Sequence, residues 1–214
     1  MRRLDNRIIY FITNPYSDKP HVVQAKEACD AGVDIIQLRN KGAGYNELLR
    51  EAEEIANICN KSNTMFIVND NIDAAINSGA DGVHLGKQDL SVTLARKQAN
   101  GDFIVGATAN SFEDIEKAKT EGATYIGLGP FRFTATKKNL SPELGSSGYA
   151  RILEQMKDSQ IDIPVYAIGG ITPHDVGGLL NTGVHGCALS SVVSESKNVE
   201  ETINILRENI TIRK

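Results

Sequence analysis

Four short stretches of the 214-residue chain share one pattern: Ala31-Gly32-Val33-Asp34, Ser78-Gly79-Ala80-Asp81, Glu121-Gly122-Ala123-Thr124 and Thr182-Gly183-Val184-His185. Each stands where a segment of helical period ends and an apolar, β-branched run begins. Glycine takes the left-handed conformation that closes a helix without steric cost, so each copy marks the same helix-to-strand corner. Working outward from these corners, the apolar runs predict strands over 7–13, 34–39, 65–69, 82–85, 103–108, 125–129, 165–169 and 186–190. Helices are expected over 21–31, 45–61, 72–78, 91–99, 111–121, 149–158, 173–181 and 199–209. Ser111 with Asp114, and Thr172 before Pro173, supply start signals for two of them. The helix over 173–181 carries Gly177-Gly178, which lowers its propensity and points to close packing there. The corners precede the second, fourth, sixth and eighth strands, one copy per two βα units. Near-continuous apolar strands alternating with helices make a parallel sheet covered on its outer face. Four double units close a (β/α)8 TIM barrel, and the whole chain, 1–214, reads as one domain. A doubly wound open sheet has the same local grammar but needs no four-fold repeat.

With 41% hydrophobic and 23% charged residues, the composition is that of a globular domain and excludes a disordered or collagen-like chain. Lys and Arg number 23 against 27 Asp and Glu, a net charge of −4, so no global attraction draws nucleic acid. The three cysteines, Cys29, Cys59 and Cys187, stand far apart in sequence among apolar neighbours, without ligand spacing, and read as reduced core residues of a reducing compartment. No apolar run reaches membrane-spanning length, and Met1-Arg2-Arg3-Leu4-Asp5-Asn6 leads straight into a strand. A cytoplasmic enzyme without a membrane partner is the expectation; no tail or repeat marks a protein partner, and oligomeric state stays open.

In such a barrel the chemistry sits at the C-terminal ends of the strands. There the sequence places Gln37-Leu38-Arg39-Asn40-Lys41, Asn69-Asp70, His84 with Asp89 five residues on, Thr108, the stretch Thr134-Ala135-Thr136-Lys137-Lys138, Gly169-Gly170 and Ser190-Ser191. Singly, each has a plain reading: Arg39 and Lys41 as a solvated turn, Asp70 and Asp89 as helix caps, the two glycines as a tight turn. Together they set cations, carboxylates, hydroxyls and backbone amides on one rim. Arg39, Lys41 and Lys137 suit phosphate or diphosphate oxygens. Asp70 and Asp89, without clustered His or Cys, suit Mg2+ better than zinc. Gly169-Gly170 and Ser190-Ser191 follow strands seven and eight, where many barrels bind a phosphate with backbone amides. Two anion sites are thus expected. The aperiodic stretch 130–147 is long enough to read as an active-site lid.

These motifs, in this order and near this spacing, resemble the thiamine-phosphate synthase family, from about the first strand to Val193. The segments that carry the resemblance are Gln37 to Lys41, Asn69-Asp70, Gly82-Val83-His84-Leu85-Gly86 with Asp89, Thr134 to Lys138 and Ala167-Ile168-Gly169-Gly170-Ile171. The resemblance implies a transferase that moves a hydroxymethylpyrimidine group from its diphosphate to the ring nitrogen of hydroxyethylthiazole phosphate, giving thiamine phosphate and diphosphate. It implies Arg39, Lys41 and Lys137 as the catalytic cations. The pyrimidine diphosphate would be held by Gln37, Leu38, Arg39, Asn40, Lys41, Asn69, Thr108 and Lys137. The thiazole phosphate would be held by Thr134, Ala135, Thr136, Gly170, Ser190 and Ser191, and Mg2+ by Asp70 and Asp89. A dissociative displacement fits these parts, since no proton needs removing from the attacking nitrogen.

The sequence departs from the family pattern at several places. Asn40 stands where an acidic residue is common, Thr108 where Ser is frequent, Asn110 where His is common, and Phe131-Arg132-Phe133 replaces a hydrophobic-Phe-Pro run. Arg132 reads either as an extra phosphate contact or as a solvent-facing side chain. His84 reads as support for the metal site or as a core histidine. Competing functions are a thiazole tautomerase-like isomerase, which lacks the metal and diphosphate residues and relies on the His replaced here by Asn110, and a barrel that binds thiamine precursors without catalysis. A Schiff-base aldolase is disfavoured because no Lys lies within any predicted strand.

Overall fold

A computed structural model describes residues 4–133 and 142–211. In it the four corner glycines all have positive φ: 82° at Gly32, 74° at Gly79, 96° at Gly122 and 103° at Gly183. The residue that ends each corner does a second job. The Asp34 carboxylate accepts from the backbone N–H of Ile8 (2.9 Å) and Ile9 (2.8 Å), Asp81 from Phe66 (2.8 Å), and the Thr124 hydroxyl from Val105 (2.9 Å). Three of the four even-numbered strands therefore begin by tying down the start of the odd-numbered strand before them, which satisfies amides at the barrel floor that would otherwise be buried without partners. His185 departs from the pattern: its imidazole bonds the Leu4 carbonyl at 2.8 Å and draws the N-terminal segment across the floor.

The strands are β1 (Ile9–Ile12), β2 (Ile35–Leu38), β3 (Met65–Asn69), β4 (Gly82–Leu85), β5 (Ile104–Ala109), β6 (Tyr125–Leu128), β7 (Val165–Ile168) and β8 (Gly186–Leu189). All pair in parallel and in sequence order, and β8 returns to β1, closing the barrel. Around it lie α1 (His21–Asp30), α2 (Tyr45–Ser62), α3 (Ile72–Asn77), α4 (Val92–Gln98), α5 (Phe112–Thr120), α6 (Gly145–Asp158), α7 (Pro173–Asn181), α8 (Ser191–Ser194) and α9 (Val199–Thr211). The expected barrel is observed, with strand ends shifted by one or two residues. Two helical features differ from the sequence reading. Helix α6 starts at Gly145 rather than Tyr149, so the expected lid stretch 130–147 loses its last residues to a helix, and 134–141 lie outside the described residues. The four-residue α8 was not expected. In α7, a Cβ on Gly177 would sit 3.3 Å from the Asn209 carbonyl of α9, as close packing requires, whereas Gly178 faces open space.

Strand alternation divides the core in two. Side chains pointing outward, such as Phe11, Ile36, Leu38, Phe66, Val68, Val83 and Val105, pack under the helices. Those pointing inward, Tyr10, Ile12, Ile35, Met65, Ile67, Ile104, Tyr125, Tyr166 and Ala188, fill the barrel together with Leu4 from below. The three buried tyrosines are wide for a barrel of eight strands, and a missing side chain makes room: a Cβ on Gly106 would lie 2.2 Å from Cζ of Tyr125. Tyr10 and Tyr125 each meet Tyr166 edge to face, with centroids 5.3 and 5.6 Å apart.

Candidate active site

The open end of the barrel is built from the residues one step beyond this apolar plug. On β2, alternation turns Gln37 inward and Leu38 outward into the layer beneath the helices, so only the backbone of Leu38 can face a ligand. Arg39 follows; its N–H donates to the Thr13 hydroxyl at 3.0 Å, and Thr13 in turn bonds His21 Nδ1 at 2.8 Å. Neither Thr13 nor His21 was singled out from the sequence, because a buried Thr and His at a strand end and a helix start carry no motif. Burial lowers the Arg39 guanidinium from its ordinary value, and the Asp70 carboxylate nearby opposes that shift. Asn40 turns away from the rim and donates to Glu51 on α2 at 3.0 Å, so its side chain does not face a diphosphate here.

Lys41 and Asp70 form an ion pair at 3.0 Å, with their side chains 51% and 27% exposed. Asp70 has a left-handed backbone, φ 65°, and its N–H donates to the His84 carbonyl at 2.8 Å, which turns the chain sharply at the top of β3. Its pKa is raised to about 6, first by burial and next by the adjoining Asp89 carboxylate, with Lys41 opposing. Two carboxylates held within hydrogen-bonding reach of each other repel when ionised, and a shared cation relieves that repulsion. The helix-cap reading of both is excluded: the caps of α3 and α4 are Asn71, accepting from Ala74 N–H at 2.8 Å, and Ser91, accepting from Leu94 N–H at 3.3 Å. Asp89 instead accepts from Gly86 N–H at 2.6 Å, which fixes the β4–α4 loop under it. Among the described residues no group of three or more His, Cys, Asp or Glu that could hold a metal ion gathers.

Below these charges, His84 is a buried core histidine with both ring nitrogens bonded. Its Nδ1 meets the Tyr125 hydroxyl at 3.0 Å and its Nε2 the Thr108 hydroxyl at 3.0 Å. Asn110 donates its amide to the Gly129 carbonyl, and Lys87 pairs with Asp114 at 2.5 Å, so neither is directed at a ligand.

On the far side, Gly169 and Gly170 have φ of 99° and 64°. A Cβ on Gly170 would stand 2.7 Å from the Phe133 carbonyl, so the glycines also let the segment after β6 lie directly on the loop after β7. That contact is locked by Arg132. Its guanidinium makes a two-pronged pair with Asp175 at 2.6 and 2.5 Å and donates to the Gly170 carbonyl at 3.1 Å. Asp175 in turn accepts from Thr172 N–H at 2.8 Å at the start of α7. Arg132 is thus solvent-exposed, as one of its two readings had it, but its guanidinium is engaged by Asp175 and Gly170, and it holds Asp175 down at about 2. Ser190 and Ser191 adjoin this loop at the end of β8, where the Ser190 carbonyl accepts from Val193 and Ser194 N–H, each at 3.0 Å. Thr134, Ala135, Thr136 and Lys137 lie outside the described residues.

The sequence profile of the family described as thiamine monophosphate synthase matches residues 9–193. The chain is similar to a thiamine-phosphate synthase of Flavobacterium johnsoniae, 44% identical over 202 residues, covering 94% of this chain and 95% of that one. It is also similar to a thiamine-phosphate synthase of Bacteroides fragilis, 43% identical over 199 residues, covering 92% and 98%. Among solved structures, a thiamine phosphate pyrophosphorylase from Pyrococcus furiosus superposes with a TM-score of 0.87 at 30% identity, covering 98% of each chain.

Proposed function

The chain belongs to the thiamine monophosphate synthase family, and on that premise we propose that its rim transfers a hydroxymethylpyrimidine group from its diphosphate to the nitrogen of hydroxyethylthiazole phosphate. The enzyme is a transferase that makes thiamine phosphate and releases diphosphate. One observation carries the assignment of parts: two cationic and two carboxylate side chains converge over β2, β3 and β4, on the rim toward which Gln37 and Thr108 also face.

Gln37 and Thr108 offer amide and hydroxyl groups to the edge of the aminopyrimidine, and Asn69 stands beside them at the end of β3. Arg39 and Lys41 take the diphosphate, with Lys137 as a third cation. The Lys41–Asp70 pair is half exposed and stabilises the free protein by at most about 1 kcal/mol, so Lys41 is readily drawn from Asp70 to a more highly charged anion. Asp70 and Asp89 fit Mg2+: they are hard oxygen donors, few in number, and leave room for substrate oxygens. When bound there, Mg2+ supplies positive charge against the diphosphate oxygens.

Carbon–oxygen cleavage builds negative charge on the departing diphosphate, and fixed cations at Arg39 and Lys41 stabilise that charge without a proton transfer. The thiazole phosphate is seated by the loops after β7 and β8, through Gly170 and the Ser190-Ser191 backbone, with Thr134, Ala135 and Thr136 adding donors. Holding the phosphate there sets the thiazole nitrogen against the pyrimidine methylene, and this positioning is the second contribution to rate.

The test is diphosphate release and thiamine phosphate formation from both substrates, with Mg2+ and with chelator. The expected result is stoichiometric appearance of both products, dependent on Mg2+ and lost in Asp70→Asn and Asp89→Asn. Binding of either substrate without product overturns the transfer reading.

A further inference from the structure

Gln37 on β2 and Thr108 on β5 both face the barrel mouth, and an unbroken chain of hydrogen bonds joins them. It descends from Gln37 Nε2 to the Tyr10 hydroxyl at 2.7 Å, crosses to the Tyr125 hydroxyl at 2.7 Å, and rises through His84 Nδ1 at 3.0 Å and Nε2 to Thr108 Oγ1 at 3.0 Å. Five residues on five strands take part. Gln37, Tyr10, Tyr125 and His84 are all buried. No buried side-chain polar atom among the described residues lacks a partner.

Such a chain has a direction. An amide nitrogen can only donate, so Tyr10 oxygen accepts from Gln37. The single Tyr10 proton then goes to Tyr125 oxygen, and the Tyr125 proton to His84 Nδ1. That leaves the imidazole proton on Nε2, where it is donated to Thr108. Burial pushes both phenols well above their usual values, so each keeps its one proton. At the two ends the consequences are opposite. Gln37 commits one of its two N–H groups to Tyr10, which fixes the orientation of its amide and leaves Oε1 as its acceptor. Thr108 has its oxygen occupied by His84 and is left with its O–H, a donor. A 4-aminopyrimidine presents an amino donor beside a ring-nitrogen acceptor, which is the complement of that pair; a 4-oxo pyrimidine presents the reverse.

We propose that Tyr10, Tyr125 and His84 are positioning residues that fix the donor–acceptor polarity of the pyrimidine site, making it select an aminopyrimidine against its oxo analogue. This rests on the pyrimidine-binding role given above to Gln37 and Thr108. None of the three positioning residues needs to touch the ligand. They act through the hydrogen each bond carries, and reversing one bond reverses every bond beyond it.

The decisive measurement is made on ligand-free, 15N-labelled full-length protein. Long-range proton–nitrogen spectra report which ring nitrogen of His84 is protonated, the signal being assigned by its loss in His84→Gln. The expected state is a single tautomer with Nε2 protonated and Nδ1 bare, and an Nδ1-protonated ring overturns the proposal. In Tyr125→Phe the bond to Nδ1 is gone. The tautomer should become mixed, the KM for the pyrimidine diphosphate should rise about tenfold with kcat within about threefold, and the preference for the amino over the 4-oxo diphosphate should fall about tenfold. A merely structural role would lower the melting temperature and leave both the preference and the tautomer unchanged, which also overturns the proposal. Tyr10→Phe, one bond further from His84, shifts the same readouts in the same direction and decides the matter if Tyr125→Phe does not fold. If the wild-type tautomer is as expected and no product forms from either pyrimidine, the transfer reading falls while the directed chain stands.

Discussion

Gly106→Ala tests the packing that supports this site. A Cβ at that position would lie 2.2 Å from Cζ, 2.4 Å from Cε1 and 2.5 Å from the hydroxyl of Tyr125. Carbon–carbon contacts settle near 3.5 Å, so the ring must move by about 1.3 Å. It has nowhere to go without disturbing its neighbours, since the Tyr10, Tyr166 and His84 rings stand with centroids 5.9, 5.6 and 5.5 Å away. Movement on that scale also breaks the 2.7 and 3.0 Å bonds of its hydroxyl. Overpacking costs about 1–3 kcal/mol and two lost buried hydrogen bonds about 1 kcal/mol each, so the expected loss is roughly 3–5 kcal/mol. For a chain of this length that is a fall of roughly 6–20 °C in melting temperature. Urea unfolding at neutral pH measures it, and a double-mutant cycle isolates the cause: in a Tyr125→Leu background, where the ring tip is absent, Gly106→Ala should cost less than about 1 kcal/mol. If Gly106→Ala alone stays within about 0.5 kcal/mol of wild type, or costs the same in both backgrounds, the steric reasoning is wrong.

Three further outcomes are expected. Because Asp70 is raised to about 6 in the folded protein, the stability it confers is present below the ordinary aspartate value and lost as pH rises through about 6; Asp70→Asn should therefore stabilise at pH 7.5 by about 1 kcal/mol, lose that advantage below about pH 4, and abolish product formation. A destabilised Asp70→Asn at pH 7.5 would show that the Lys41 pair outweighs the burial. Asp175 is held at about 2 chiefly by Arg132, so the pair stabilises above the ordinary aspartate value and ceases to do so as pH falls toward about 2; in Arg132→Ala a carbon-detected titration should find Asp175 back near the ordinary value, and the KM for the thiazole phosphate should rise as the Gly170 loop loosens. Cys29 and Cys59 pack with sulfurs 3.7 Å apart and Cys187 lies in the core, all three buried; an alkylating reagent should label none in the native protein and all three in urea, and rapid native labelling of Cys29, whose thiol is lowered to about 7 mainly by Cys59, would show that the contact between α1 and α2 opens readily.

The sequence by itself determined the barrel. Its corners follow from the left-handed backbone that glycine alone adopts freely, and its strands from apolar runs of the right length, both properties of near neighbours along the chain. The rim residues were legible for the same reason: a strand of known end and strict alternation declares which side chains it lifts toward the mouth, as at Gln37, Asn69 and Thr108. Where each side chain then turned depended on contacts between distant parts of the chain. Asn40 looks like a rim residue until α2 brings Glu51 to it, and nothing local shows that the exposed Arg132 is fixed by Asp175, 43 residues on. Cys29 and Cys59, distant in sequence, become neighbours because α1 and α2 pack side by side. The bond between Tyr10 and Tyr125 spans 115 residues and exists because closing eight strands into a ring lets side chains from β1 and β6 meet inside it. Local propensity carries no record of such pairings; they come into being only when the barrel closes and each buried polar atom must find its partner among whatever the opposite wall presents.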